Sequence, residues 1–184
     1  MIQSDPVRVV DEGMNDVPRD GQTMGEIVMR GNNVMAGYYR DEVATKTAFE
    51  GGWLHSGDLG VQHSDGYVEL RDRAKDIVIS GGENISTVEI EHAIEAHPAV
   101  LEVAVIGVPD PKWGERPKAF VVCRPDAEVT EEELIAYLQS HIARFKVPKA
   151  IEFVESLPRT STGKLQKFAL RDKEWAGHSS RIQG

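Results

Sequence analysis

The sequence is short of the features that announce several large classes of protein. It has one cysteine in 184 residues, Cys123, inside the apolar run AFVVC. One thiol cannot close an internal disulfide, and a reducing cytoplasm fits that count. The plain reading of Cys123 is a buried strand residue rather than a reactive thiol. Positive charge is scarce: 21 Lys and Arg stand against 30 Asp and Glu, for a net charge of −9. A nucleic-acid binder would show a basic patch or stripe, so that class is set aside, and an anionic membrane surface with it. No apolar run approaches the roughly 20 residues of a membrane span. The opening MIQSDPVRVV lacks the basic-then-apolar order of a signal peptide. The six histidines show no H-x-x-x-H spacing and no C-x-x-C occurs, so no protein-ligated metal is expected. Both G-x-G-x-x-G and G-x-x-x-x-G-K-[ST] are missing, as are internal repeats and low-complexity segments.

What is present is an ordinary globular composition, 40% apolar and 28% charged, in a chain long enough for one or two domains with real cores. Residues 1–71 read as β-structure with tight turns. Val7–Val10 and Met24–Arg30 are strands, Glu42–Phe49 is a short helix, and Leu59–His63 and Tyr67–Arg71 flank a Ser64-Asp65-Gly66 hairpin turn. After about residue 72 the pattern becomes α+β. Ile77–Ser80, Leu101–Val108, Ala119–Cys123 and Ile151–Val154 read as strands. Ser86-x-x-Glu89 and Thr130-x-x-Glu133 have capping-box spacing before two apolar-faced helices. The order β-α-β-β-α-β predicts a small sheet with helices on one face. The tail from Trp175 to Gly184 is expected to be loose.

The stretch Arg71–Glu91, RDRAKDIVISGGENISTVEIE, organises the chain. A β-branched run leads to Gly81 and Gly82, which allow a tight turn or close approach of a ligand. A strand, a glycine pair and a helix start in series suit a nucleotide or a pantetheine arm. Three further blocks accompany it in order: GEIVMRGNNVMAGYY (Gly25–Tyr39), GGWLHSGDLG (Gly51–Gly60) and PRTSTGKLQK (Pro158–Lys167). Together the four blocks resemble the C-terminal third of the adenylate-forming (AMP-binding) family, the acyl-CoA synthetases, peptide-synthetase adenylation domains and luciferases.

That resemblance implies a division of labour. Residues 1–71 would be the β-rich tail of the large domain's barrel subdomain, deprived of partner strands and so poorly ordered or rearranged. Residues 72–184 would be the mobile C-terminal α+β domain. The family's phosphate loop and acid pocket lie earlier in its sequences, so the chain is expected to be inactive without an N-terminal domain as partner. The implied reaction joins a small-molecule carboxylic acid to CoA at the expense of ATP, through an acyl-adenylate, with Mg2+ held mainly by that other domain. A fatty acid is the substrate suggested by overall resemblance, placing the enzyme in lipid metabolism.

Residue by residue, the resemblance gives Asp58 and Arg73 the ATP ribose, and Lys164 the substrate carboxylate and α-phosphate. Lys75 becomes the hinge about which the small domain rotates, and Ser80, Gly81, Gly82 and Glu83 flank the pantetheine of CoA. Arg144, Lys146 and Lys149 are candidates for CoA phosphates, and Trp113 for stacking on adenine. Each has a plainer reading: a turn aspartate, a surface ion pair, a solvated lysine, a Trp packed over a strand edge. His55 stands where the family commonly has Ser or Thr, which leaves the hydrogen bonding around Asp58 open. Two other readings stay in play: an adenylation domain that loads a carrier protein, and a non-catalytic domain that binds a nucleotide or a partner.

Overall fold

The computed structural model describes residues 5–178. The chain divides into two compact units, Met1–Lys75 and Asp76–Gly184. Strand pairing keeps residues 72 and 73 with the first unit, because Arg73 is still in register with Asp58.

The first unit is a four-stranded antiparallel sheet in the order β1-β2-β3-β4. Its strands are β1 Arg8–Val10, β2 Gly25–Met29, β3 Leu54–Gln62 and β4 Val68–Arg73. Within the described part of the segment expected to be poorly ordered or rearranged, these four strands pair with one another in a single sheet. Val9, Val10, Val28 and Val61 are buried. Helix α1, Glu42–Ala48, is capped by the Asp41 side chain, which accepts from the Ala44 N–H. At Asp20 the carboxylate accepts from the backbone of Thr23, the Thr23 hydroxyl and the Gln22 N–H, holding its pKa down at about 2.

The second unit is a five-stranded sheet with the path β6-β5-β8-β7, and β9 also joins β8. The strands are β5 Val78–Ser80, β6 Glu83–Ile85, β7 Val100–Asp110, β8 Gly114–Cys123 and β9 Ala150–Phe153. All pairs are antiparallel except β8 with β9, which is parallel. The long β7–β8 ladder is its spine, from Val100 opposite Cys123 to Asp110 opposite Gly114.

The inner runs of that ladder, Val103–Val108 and Ala119–Cys123, are apolar throughout because both faces of the sheet are covered. Val103, Val105, Ala119 and Val121 point into one core with Ile90 and Ile94 of α2 (Thr87–Glu95) and Leu134 and Leu138 of α3 (Glu131–Gln139). Ala104, Ile106, Val108, Phe120 and Val122 point into the other with Leu157, Leu165 and Leu170. Alternation along a strand splits one run between two cores. So α2 and α3 share a face, as expected, while a helix the sequence pattern did not reveal, α4 (Lys167–Glu174), contributes Leu170 to the opposite one.

Helix starts follow the capping pattern. Thr130 and Glu133 form a reciprocal capping box. Ser86 accepts from the Glu89 N–H, and the Glu89 carboxylate reaches Lys146 Nζ at 2.7 Å. Of the tail expected to be loose, residues 179–184 lie outside the described residues. Trp175 does not fit that expectation: its indole N–H donates to the Gly107 carbonyl at 2.9 Å. No helix of the described residues is long and apolar enough to cross a membrane.

Candidate functional site

In the first unit, Asp58 does not begin a turn. It lies within β3, at an irregularity that opens between Glu26 and Val28 of the facing strand. Gly57 has a φ of 71°, Ser56 Oγ donates to the Ile27 carbonyl at 2.7 Å, and the Asp58 N–H donates back to Ser56 Oγ at 3.0 Å. A bulge of this kind re-aims a side chain. It delivers Asp58 opposite Arg73 across the β3–β4 ladder, where Arg73 Nε sits 3.2 Å from Asp58 Oδ1. The two residues assigned to one ribose are thus a cross-strand pair. The arginine remains more than half exposed, so the ion pair itself adds little stability, about 0–1 kcal/mol. A carboxylate beside a guanidinium offers acceptors and donors together to a vicinal diol.

His55, the departure from the family pattern, braces this bulge. Its Nδ1 lies 2.6 Å from Glu26 Oε2 and its Nε2 lies 3.1 Å from the Glu50 carbonyl. The other Glu26 oxygen accepts from the Gly57 N–H at 3.0 Å. Burial alone would lower the imidazole pKa, but the Glu26 and Glu50 contacts outweigh it and raise the value above the ordinary 6.5. Glu26 went unremarked in the sequence, and its position within the first block was the available signal.

In the second unit, Ser80-Gly81-Gly82-Glu83 is not a loop running into a helix. It is a two-residue hairpin turn, with Ser80 paired to Glu83 and the short strand β6 placed before α2. Both glycines have positive φ, 61° and 88°, the requirement of a tight hairpin. A Cβ on Gly81 would come within 2.6 Å of the Trp113 ring, whereas one on Gly82 would meet nothing within 4 Å. The Gly81 N–H also donates to the Trp113 carbonyl at 2.9 Å. Trp113 is therefore packed over the strand edge and still 43% exposed.

Lys164 stands on a braced loop with an exposed side chain. Thr160 N–H donates to the Lys164 carbonyl at 2.8 Å, Gly163 N–H to the Thr160 carbonyl at 2.9 Å, and Lys164 N–H to Thr160 Oγ1 at 3.0 Å. Arg159 spans the loop, donating to the Gly163 carbonyl at 2.8 Å and to Glu102 at 2.9 Å. Leu157 and Leu165 anchor its two sides in the sheet core. Gly163 has a φ of 84° and open space around it. The backbone is fixed and the ammonium is presented to solvent. No ion pair of Lys164 is seen among the described residues.

The Lys164 loop and the glycine hairpin are tied to opposite ends of the same ladder. Arg159 holds the first to Glu102 near the start of β7, and Trp113 holds the second beyond Asp110 at its end. At about 3.3 Å per residue the two anchors are roughly 26 Å apart along β7.

Lys75 lies in the single 3-10 turn Ala74–Asp76 that joins β4 to β5. Two of the basic residues suggested for CoA phosphates are already engaged: Lys146 with Glu89 at 2.7 Å and Lys149 with Asp110 at 3.3 Å. Arg144 remains exposed. A cavity of about 830 Å³ lined by Cys123, Thr130, Glu133 and Phe153 includes none of the candidate residues. No cluster of metal-ligating side chains is found among the described residues.

Residues 89–164 match the family model for the AMP-binding enzyme C-terminal domain. This segment is an AMP-binding enzyme C-terminal domain. The wider chain is 48% identical over 159 residues to the peroxisomal trans-cinnamate:CoA ligase of Petunia hybrida, covering 86% of this chain and 28% of that protein. It is 52% identical over 165 residues to an acetate–CoA ligase of Humulus lupulus, covering 87% and 29%. Among solved structures, o-succinylbenzoate CoA synthetase of Bacillus subtilis, in complex with its acyl-adenylate intermediate, superposes with a TM-score of 0.82 at 37% identity, covering 90% of this chain and 33% of that one. The chain thus spans less than a third of the length of these curated relatives. The AMP-binding C-terminal domain accounts for the second unit from within α2 to Lys164.

Proposed function

We propose that this chain supplies the moving lobe of an ATP-dependent acid–CoA ligase. In that reading a carboxylic acid attacks the α-phosphate of ATP, giving an acyl-adenylate and pyrophosphate, and the CoA thiol then displaces AMP. The first step brings an anion to an anion. A cation aimed at the phosphoryl oxygens is then the strongest help the protein can give. Lys164 is that cation, carried on a loop whose backbone is already organised. Asp58 and Arg73 hold the ribose, and Mg2+ travels with ATP on the adenylating domain of such an enzyme.

The observation that carries the reading is the separation of the two loops along β7. Lys164 and the Gly81-Gly82 hairpin belong to one sheet and cannot both reach one reaction centre in one orientation. A lobe that rotates about Lys75 presents first the lysine and then the hairpin, beside which the pantetheine arm passes. Hinges of this type absorb backbone rotation at a few positions between elements.

The acid is not read by this part of the enzyme. Relatives named for cinnamate and acetate bracket a wide range, within which a fatty acid is our working choice. The cytoplasm remains the proposed compartment, although one relative is peroxisomal by name. The test is reconstitution with the large adenylating domain of a relative. Pyrophosphate release and acyl-CoA formation that both depend on adding this chain are expected. If both proceed equally well without it, the reading fails.

A further inference from the structure

The chain contains a buried ion pair that the chemistry above does not use. Asp76 and Arg171 are each 9% exposed, and Arg171 Nη1 donates to Asp76 Oδ1. Asp76 directly follows the hinge residue Lys75. Arg171 lies in the middle of α4, the helix that begins at Lys167, just beyond Lys164. Other bonds tie α4 to the sheet and to α2. Lys167 reaches Glu91 at 2.8 Å and Thr87 at 2.9 Å, Glu174 takes Lys118 at 2.7 Å, and Trp175 reaches the Gly107 carbonyl at 2.9 Å. The Arg171 bond runs from α4 to the residue beside the hinge.

A buried ion pair is an inefficient way to gain stability, since apolar groups of similar shape often serve as well, but it fixes a geometry. Here it fixes α4, and with it Leu170, which packs in the same core as the Leu165 anchor of the lysine loop, to the first residue of the second unit. We propose that Arg171, through Asp76, is a positioning residue that sets where Lys164 arrives when the lobe turns about Lys75. The inference rests on the adenylation role of Lys164. Misplacement of a catalytic group by about 1 Å is enough to cost on the order of 10²-fold in rate, so a link between hinge and loop has a measurable consequence.

The experiment uses this chain joined to a relative's large adenylating domain, with Arg171→Lys and Asp76→Asn each made alone and with Lys164→Ala. Adenylate formation should fall by about 10- to 100-fold in kcat, with KM for ATP little changed. Thioester formation from preformed acyl-adenylate should stay at the parent rate. With Lys164 already replaced, neither substitution should lower adenylate formation further. Additive loss in that background, or equal loss in both half-reactions, would show a merely structural pair and overturn the proposal. If Lys164→Ala alone leaves adenylate formation intact, it is the underlying reading that fails instead. Amide exchange on the chain by itself gives a second measure. In Arg171→Lys the Gly163 and Lys164 amides should exchange faster while those of β7 and β8 keep their protection. Unchanged exchange at the loop would contradict the link.

Discussion

The two ends of the β7–β8 ladder solve opposite problems with the same residue. At the Trp113 end, Gly81 is required twice over: its φ is positive and the indole occupies the space a Cβ would need. At the Glu102 end, Gly163 is required only by its φ, and nothing lies within 4 Å of where a Cβ would stand. One end is a packed hairpin whose outer glycine leaves a bare surface. The other is a hydrogen-bonded loop that leaves one ammonium, that of Lys164, in the open. A sheet with both faces buried keeps these ends at a fixed separation, so a reaction that needs both must move the lobe.

The largest effect that sharpens this contrast is Lys164→Ala. It should slow adenylate formation by about 10²–10³-fold, the scale of losing one donor to a developing charge. ATP–pyrophosphate exchange measures it, and a loss below tenfold would blur the distinction between the ends.

Lys75→Pro comes next. Proline locks φ, and thioester formation should drop by at least about tenfold, or ~1.4 kcal/mol of barrier, with adenylation affected less. Unchanged acyl-CoA formation in a single-turnover assay would remove the hinge.

Glycine substitutions compare the two ends directly by thermal or urea unfolding. Gly163→Ala should cost about 1–2 kcal/mol from left-handed backbone alone. Gly81→Ala should cost more, because Trp113 must also shift. Equal losses would mean the indole gives way freely.

The smallest effect concerns the other unit. His55 has its pKa raised in the folded protein, burial opposing and the Glu26 and Glu50 contacts prevailing. Its contribution is therefore complete below the unfolded value near 6.5 and is lost as pH rises through the higher folded value. Melting temperature followed over that window should decline slightly in the parent and stay flatter in Glu26→Gln. A parent that gains stability there would reverse the sign and refute the assignment.

Much of this was legible from residue types. The apolar runs of β7 and β8, the Thr130-x-x-Glu133 box and the Ser64-Asp65-Gly66 turn state their structures locally. Three features were not. Strand β6 was hidden because Gly81-Gly82 suits a ligand loop and a hairpin equally, and only the pairing of Ser80 with Glu83 decides between them. Helix α4 carries little apolar periodicity, because it docks through Lys167, Arg171 and Glu174 as much as through Leu170. The Asp58–Arg73 pair depends on a bulge opposite Ile27, and strand register of that kind is a tertiary outcome. The site residues themselves were named by resemblance to a family. The structure adds which of them share a ladder and which stand at its two ends.

The most direct test is a crossed comparison of half-reactions in the reconstituted ligase, with Lys164→Ala against Gly82→Leu. The leucine would project into the open space beside the hairpin. If the two ends act in turn, the first variant fails to make acyl-adenylate yet converts preformed acyl-adenylate to acyl-CoA, and the second does the reverse. Loss of the same half-reaction in both variants would contradict a lobe that turns one end and then the other toward the reaction.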